Sequence, residues 1–353
     1  MFCLRPFFRI LSFIFLLGIG SVVVAQVQVP SVQDNPLTVR VRLFKDLPQF
    51  PEVRQAVVKA VRGDLWSVQG QGLRYQGQWL PNLNFVFKKA SGFYDFVSVV
   101  EWNSYLAGVL SREMPLKWPL EALKAQAVVA RSYALARMKE RRQQFFHLDA
   151  TQLDQVFSLT ASIKAYQAVR ETDRLILQTS DGEVLKAYYH SDCGGQTVPA
   201  SQIWPTALDT GTARDPWCAA RSSNRWKLSL PRESFDEKIQ QKMIGQASEA
   251  SAFEVKKWQS KIVQLIWKGH FFSVQKLREW FGFSVLKSSP SRVIVDERFV
   301  TFLGSGYGHG AGLCQWGTFA QAQSGIGFEA ILSHYYPKAR LVSQSKSTLV
   351  VSK

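Results

Sequence analysis

Pro119-Leu-Glu-Ala-Leu-Lys124-Ala-Gln-Ala-Val-Val-Ala-Arg131-Ser-Tyr-Ala-Leu-Ala-Arg137-Met-Lys-Glu-Arg-Arg-Gln-Gln144 is the stretch whose reading decides the fold. Pro119 suits a first helical turn, where its missing N–H would have had no partner. Glu121 sits at the positive end of the helix dipole, and Arg137, Lys139, Arg141 and Arg142 gather at the negative end. Between them Ala122, Leu123, Ala125, Ala127, Val128, Val129, Ala130, Ala134 and Leu135 make the surface apolar nearly all round. A helix of that kind is predicted to be buried. Upstream, the alternation Thr38-Val-Arg-Val-Arg-Leu-Phe44 reads as a strand. Turn glycines follow at 70–79, and two further short strands are predicted within 84–100. No βα unit repeats, so the expected class is α+β: mixed or antiparallel small sheets packed on one long buried helix.

Downstream the pattern predicts a helix at 160–172 and a strand pair at 175–178 and 184–189. An irregular stretch, 190–220, comes next. Residues 222–300 read as an inserted, mostly-β module with one helix at 274–281. A glycine-rich strand then precedes helices at 315–324 and 328–335. The expected organisation is a core made of 38–221 and 301–345, the module 222–300 between them, a linker at 26–37 and a tail at 346–353. No internal repeat or low-complexity tract interrupts it.

At the other end of the chain, Arg5 and Arg9 precede an apolar run, 10–24, that closes on Val23-Val24-Ala25 before Gln26. That order is expected for a signal peptide over residues 1–25. An uncleaved N-terminal anchor is the alternative, because 7–25 approaches bilayer-spanning length. Either reading sends the remainder to the periplasm or cell wall, with the membrane touched only through this segment. The chain carries +16. Loss of residues 1–25 removes two arginines and no acid, leaving +14. So basic an exported protein is drawn to anionic polymers such as peptidoglycan. The absence of an arginine-rich tract or nucleic-acid signature sets nucleic acid aside. With 24 Phe and 11 Trp, aromatic side chains are available for a core and for a sugar-binding groove.

Three segments concentrate unusual residues. The first is Glu101-Trp-Asn-Ser-Tyr-Leu-Ala-Gly-Val-Leu-Ser-Arg-Glu113-Met-Pro, which runs into Trp118 and the long helix. The second is Ala187-Tyr-Tyr-His190-Ser-Asp-Cys193-Gly-Gly-Gln, followed by Trp204. The third is Gly306-Tyr-Gly-His309-Gly-Ala-Gly-Leu-Cys314-Gln315-Trp-Gly, followed by Ile331-Leu-Ser-His334-Tyr-Tyr-Pro. Together and in this order they resemble the stage II sporulation protein D family, also called the SpoIID/LytB domain, over about 97–337. The resemblance implies one of two roles. Some members resemble lytic transglycosylases of peptidoglycan glycan strands, with the acid of the Ser-x-Glu-Met-Pro-type segment, here Glu113, as catalyst. Others look like non-catalytic, wall-binding enhancers of a cell-wall amidase.

The residues themselves support Glu113. Cleaving a glycosidic bond needs a protonated acid against the leaving oxygen. Val109, Leu110, Met114, Pro115 and Trp118 form the apolar neighbourhood that raises a carboxyl pKa. Hydrolysis also needs a second carboxylate, and none stands out in the three segments. A lytic transglycosylase dispenses with it, because the muramic 6-hydroxyl attacks within the substrate and Glu113 serves as acid and then as base. The competing reading has Glu113 ordering the turn before the long helix. Lys124, Gln126, Arg131 and Tyr133 interrupt the apolar helix. Each is expected either to meet an internal partner such as Glu113 or Glu121, or to bind substrate. His309 and Gln315 are candidate groove-lining groups, against which stands plain core packing. Alternating glycines from 304 to 312 would place one open face on an extended strand, where another backbone or a sugar ring could approach.

Cys193, Cys218 and Cys314 follow the apolar leader. An oxidising compartment permits one disulfide and one spare thiol. Cys193 with Cys218 is the expected pair, since both lie in one loop-rich stretch. Zinc held by His190, Cys193 and Cys218, with Cys314 or His309 as fourth ligand, is the weaker alternative, because the spacing matches no standard zinc signature. No obligatory cofactor is expected.

Overall fold

The computed structural model describes residues 38–208, 211–220, 224–242 and 253–344. The leader, the linker and the tail at 346–353 lie outside the described residues. Among those described, no helix is long and apolar enough to cross a membrane.

The long helix forms as its composition dictates. It runs Leu120–Glu140 (α2), capped by Pro119, with Glu121 in its first turn and Arg137 and Lys139 in its last. Alanines and valines on every side of it are fully buried. It packs against Trp102–Glu113 (α1), Ile163–Glu171 (α3), Gln315–Gln323 (α7) and Phe328–Tyr335 (α8). Helix α1 was not expected from the sequence. The Glu101 carboxylate caps it by accepting from the backbone N–H of Asn103 at 2.9 Å and of Ser104 at 2.7 Å. Burial of Tyr105, Leu106, Val109 and Leu110 then fixes it to the core. Glu is an uncommon capping residue, so the start of α1 is poorly marked.

A six-stranded sheet covers the N-terminal side in the order β2-β3-β6-β7-β1-β8. These strands are Val57–Arg62 (β2), Leu65–Gln69 (β3), Leu83–Lys88 (β6), Tyr94–Glu101 (β7), Thr38–Leu47 (β1) and Leu148–Asp149 (β8). All neighbours are antiparallel except β1 and β8. A small hairpin, Arg74–Tyr75 (β4) with Gln78–Trp79 (β5), uses the turn glycines. Val39 and Val41 on β1 are fully buried, as the alternation requires. Leu175–Gln178 (β9) pairs with Arg340–Ser343 (β18). Gln178 bridges Val184, but beyond it only Tyr189–His190 (β10) of the expected second strand is extended.

Residues 225–305 hold a second apolar cluster around Trp226, Phe235, Leu265, Trp267, Leu277 and Phe302. Arg225–Pro231 (β11), Phe299–Ser305 (β16) and Pro290–Val295 (β15) form one sheet. Phe253–Trp258 (β12), Lys261–Trp267 (β13) and His270–Ser273 (β14) form another. The helix Val274–Phe281 (α6) lies where it was expected, and Ser273 caps it. A second helix, Arg232–Lys242 (α5), was not expected: only Phe235 and Ile239 are buried, too short a stripe to stand out among polar residues. The structure is thus α+β, with several small open sheets around a long helix.

The glycine-rich segment departs from the strand predicted for it. Strand β16 ends at Ser305, and Gly306, Gly308, Gly310 and Gly312 all adopt positive φ, between 68° and 118°. No single open face results. Close approach is nevertheless the reason for glycine. A Cβ at Gly312 would collide with the Tyr188 carbonyl, and one at Gly306 with the Asp192 carbonyl. The segment wraps the second sequence motif and ends in Leu313–Cys314 (β17), which pairs in parallel with β10, Tyr189 opposite Leu313.

Candidate functional site

Glu113 is the last residue of α1, and Met114, in an extended conformation, closes the helix. Its carboxylate is held by three different parts of the chain. Oε1 accepts from the Val156 N–H at 2.9 Å and from the Tyr189 hydroxyl at 3.1 Å. Oε2 accepts from the Gln315 amide at 3.5 Å. No cation pairs with it among the described residues. Burial raises its pKa, and the hydrogen bonds from Val156, Tyr189 and Gln315 oppose that rise without cancelling it. The group therefore keeps its proton to a higher pH than an ordinary carboxyl.

Glu113 lies in a cleft of about 340 Å³. Tyr188 and Trp204 stack with ring centroids 4.3 Å apart and planes 14° from parallel. His309 meets Trp204 edge-on at 5.0 Å, so three rings make one wall. Helix α6 supplies Arg278 and Glu279 to another side. Two more acids line the cleft, and both are engaged. The Asp154 side chain is fully buried between Arg137 at 2.8 Å and Arg141 at 2.6 Å, and it also accepts from the Tyr133 hydroxyl. Glu279 pairs with Lys276 at 3.0 Å.

His190 shares the cleft. Its Nδ1 lies 3.0 Å from the Ala311 carbonyl, which can only accept, so the proton sits there. Burial pushes its pKa down to about 4, which leaves the ring neutral near pH 7. Its Nε2 is then a buried lone pair with no partner among the described residues.

The structure gathers Glu113, Tyr133, His190, His309 and Gln315 around one cleft. It does not bring Lys124, Gln126 or Arg131 there. Lys124 pairs with Glu121 at 2.7 Å and Glu171 at 3.5 Å, the internal-partner alternative. Arg131 is 1% exposed and donates to the carbonyls of Leu175 at 3.0 Å and Val169 at 3.1 Å. Its partners are thus carbonyls, Val169 being in the last turn of α3, where orphaned acceptors favour a cation. Gln126 is fully buried, and neither polar atom of its amide has a partner among the described residues. Substrate cannot reach these two positions. Sequence reasoning assigned no role to Tyr189, Val156, Asp154 or Arg278. Tyr189 stands in a quoted motif beside His190, whereas Asp154 and Arg278 come from segments without any motif.

The expected Cys193–Cys218 disulfide is absent. All three described cysteines are free and buried. The Cys193 thiol points to Asp215 Oδ2 at 3.3 Å and the Cys218 thiol to Asp192 Oδ1 at 3.0 Å. Nor is Cys314 apart from them, for its sulfur accepts from the Cys193 N–H at 3.2 Å.

Comparison with known proteins bears out the resemblance read from the three segments. The family model for the stage II sporulation protein, SpoIID, matches residues 91–178, which contain α1, α2 and Glu113. The chain is 26% identical to the amidase enhancer of Bacillus subtilis over 324 residues, covering 75% of this chain and 44% of that protein. It is 24% identical to the stage II sporulation protein D of Bacillus amyloliquefaciens over 258 residues, 68% of this chain and 74% of that one. An uncharacterised protein of Brachyspira hyodysenteriae is 27% identical over 262 residues, 71% of this chain and 69% of its own length. The chain thus spans less than half of the amidase enhancer it matches.

Proposed function

We propose that this is an exported cell-wall protein that cuts the glycan strands of peptidoglycan by intramolecular transglycosylation, with Glu113 as its acid/base group. One observation carries the reading: among the described acids lining the cleft, Glu113 alone lacks a described cationic partner, and burial favours its protonated form. A protonated Glu113 gives its proton to the oxygen that leaves the muramic C1. The resulting carboxylate takes the proton of the muramic 6-hydroxyl as that oxygen bonds to C1. One C–O bond breaks, one forms, and no water is consumed. A hydrolase would need a second free carboxylate to direct water. Asp154 is locked between two guanidinium groups and is not free to direct water. The Val156 N–H, the Tyr189 hydroxyl and the Gln315 amide orient the carboxyl, and the Tyr188–Trp204–His309 wall offers ring faces for sugars.

The test is mass spectrometry of purified peptidoglycan after digestion. Wild type is expected to leave 1,6-anhydro-muramic ends. Ordinary reducing ends would replace the proposal with hydrolysis.

A second reading is favoured by the 26% identity to the amidase enhancer. In it the same cleft binds glycan without cutting and the chain assists a cell-wall amidase. Stimulation of a purified amidase that survives Glu113→Gln, with no product from the chain alone, would make it the correct one.

A further inference from the structure

We propose that Cys193, Cys218, Cys314 and Asp215 are the ligands of a structural zinc ion behind the wall of the cleft. This assignment does not depend on the glycan-cutting reading. The four side chains are fully buried, and their donor atoms all lie within 4.8 Å of one another. Tetrahedral zinc with Zn–S bonds of about 2.3 Å holds its ligands about 3.8 Å apart, which that spacing accommodates. His190, the histidine expected at such a site from the sequence, is not part of the cluster.

Burial favours the protonated thiols of Cys193 and Cys314, so the bound cation supplies most of what makes them thiolates, and hydrogen-bond donors help at one sulfur. The Cys314 sulfur accepts from two backbone N–H groups, those of Cys193 at 3.2 Å and Gly317 at 3.4 Å. Donors aimed at sulfur favour the anion, the form a metal requires. The carboxylate is oriented from outside, with Oδ1 accepting from the Cys218 N–H at 2.9 Å and Oδ2 from the Tyr335 hydroxyl at 2.6 Å. Such outer contacts are what hold a metal ligand in place. Gly317 admits them, because a Cβ there would strike both Asp215 and Tyr335. Zinc with three thiolates and a carboxylate carries a net charge of −2, and the buried ammonium of Lys261 lies within electrostatic reach of all three cysteines. Uptake releases the thiol protons to solvent, so affinity falls as pH is lowered.

The ion would tie together three segments distant in sequence. Cys193 follows β10, Cys218 lies in the short helix Pro216–Ala219 (α4), and Cys314 caps α7. Tyr189 and Gln315, which hold Glu113, stand four residues and one residue from two of the ligands. The metal is thus a positioning device for the cleft wall, with no role at the reacting atoms.

The full chain, purified without chelators, is expected to contain one zinc per molecule by elemental mass spectrometry. Exchange with cobalt(II) should give the visible bands of a tetrahedral site and an intense thiolate-to-metal band in the near ultraviolet. Cys218→Ser and Cys314→Ser should each lower zinc content at least tenfold. Should those variants fail to fold, the wild-type cobalt spectrum still decides. Absence of the thiolate band, a disulfide between any two of the three cysteines, or zinc that survives both substitutions would overturn the proposal, whatever Glu113→Gln does to glycan cutting.

Discussion

Helices α1 and α2 follow one another across residues 114–119, and their polar side chains have opposite roles. In α2 three of the four side chains that look functional are structural, and only Tyr133 reaches the cleft. Lys124 closes ion pairs, Arg131 ties α2 to the end of α3, and Gln126 is sealed in the core. In α1 the side chain proposed as the acid/base group is the last residue. There the helix has ended, the backbone turns extended, and Glu113 faces a cleft built by three other segments. A long helix buried on nearly every side has little surface to give to a substrate, here the Tyr133 side chain. A helix end reaches the boundary between core and solvent while its carboxyl stays partly desolvated, which is the environment an acid catalyst needs.

The strongest test of this contrast is Glu113→Gln. Loss of general acid/base catalysis is expected to cost about 10²–10⁴-fold in glycan release, measured by muropeptide analysis, with glycan binding retained. The pH dependence has a definite sign. Burial raises the folded-state pKa of Glu113, so wild-type activity should fall as pH rises through that value, because the protonated acid is lost. The same shift means that the carboxyl's contribution to stability is full below its unfolded-state value and is lost as pH rises through the folded-state value. Glu113→Gln removes that loss, so thermal denaturation at pH 7 should find the variant at least as stable as wild type. Undiminished release by the variant would erase the distinction between the two helices.

Arg131→Met probes the other side of the comparison. It removes the donor to two buried carbonyls and should destabilise the protein by about 2–4 kcal/mol in denaturant titration. Activity per folded molecule should stay at the wild-type level, since Arg131 does not line the cleft. A selective loss of activity at unchanged stability would return Arg131 to the substrate-binding role its charge suggests.

The contrast also explains what was legible in the sequence. Helix α2 was readable because twenty-odd residues of consistent apolar character, bounded by Pro119 and a cationic end, admit one interpretation. Helices α6, α7 and α8 also lie where the sequence pattern predicts them. Helix α1 escaped because its cap is a glutamate, and α5 because two buried residues make no stripe. At the site, Glu113, His309 and Gln315 were readable from motifs. Asp154 and Arg278 were not, because only the tertiary fold brings 150–156 and α6 to the cleft. The glycines signalled close approach correctly, but period two suggested a strand where positive φ makes a wrap. For the cysteines, sequence proximity favoured Cys193 with Cys218, whereas the fold adds Cys314 from 121 residues away.

Trp204→Ala sharpens the comparison within the cleft itself. It removes one ring of the wall while leaving the contacts of Glu113 intact. Lost stacking of about 0.5–1.5 kcal/mol beyond simple burial translates into a rise in KM of about tenfold or less. The rate at saturating glycan should be retained. A fall in kcat without a change in KM would place Trp204 in the chemistry and not in binding.

The smallest expected effect belongs to Gln126→Met, and its sign is the point. A glutamine inside a helix is ordinarily solvated or bonded, and burying an unpaired amide group costs about 1–3 kcal/mol on mutational scales. Gln126 has both side-chain polar atoms buried and unpartnered among the described residues. Methionine has nearly the same length and shape, a helix propensity as good, and no polar group that needs a partner. The exchange should therefore stabilise the protein by about 1 kcal/mol, raising the denaturation midpoint with an unchanged slope. Glycan release should not change, since the side chain touches no part of the cleft. If the variant were instead less stable, Gln126 would have a partner in the folded protein, and the polar residues of α2 would form a buried network. If stability rose while activity fell, the amide would act on the site at a distance, and the division of labour between α1 and α2 would have to be redrawn.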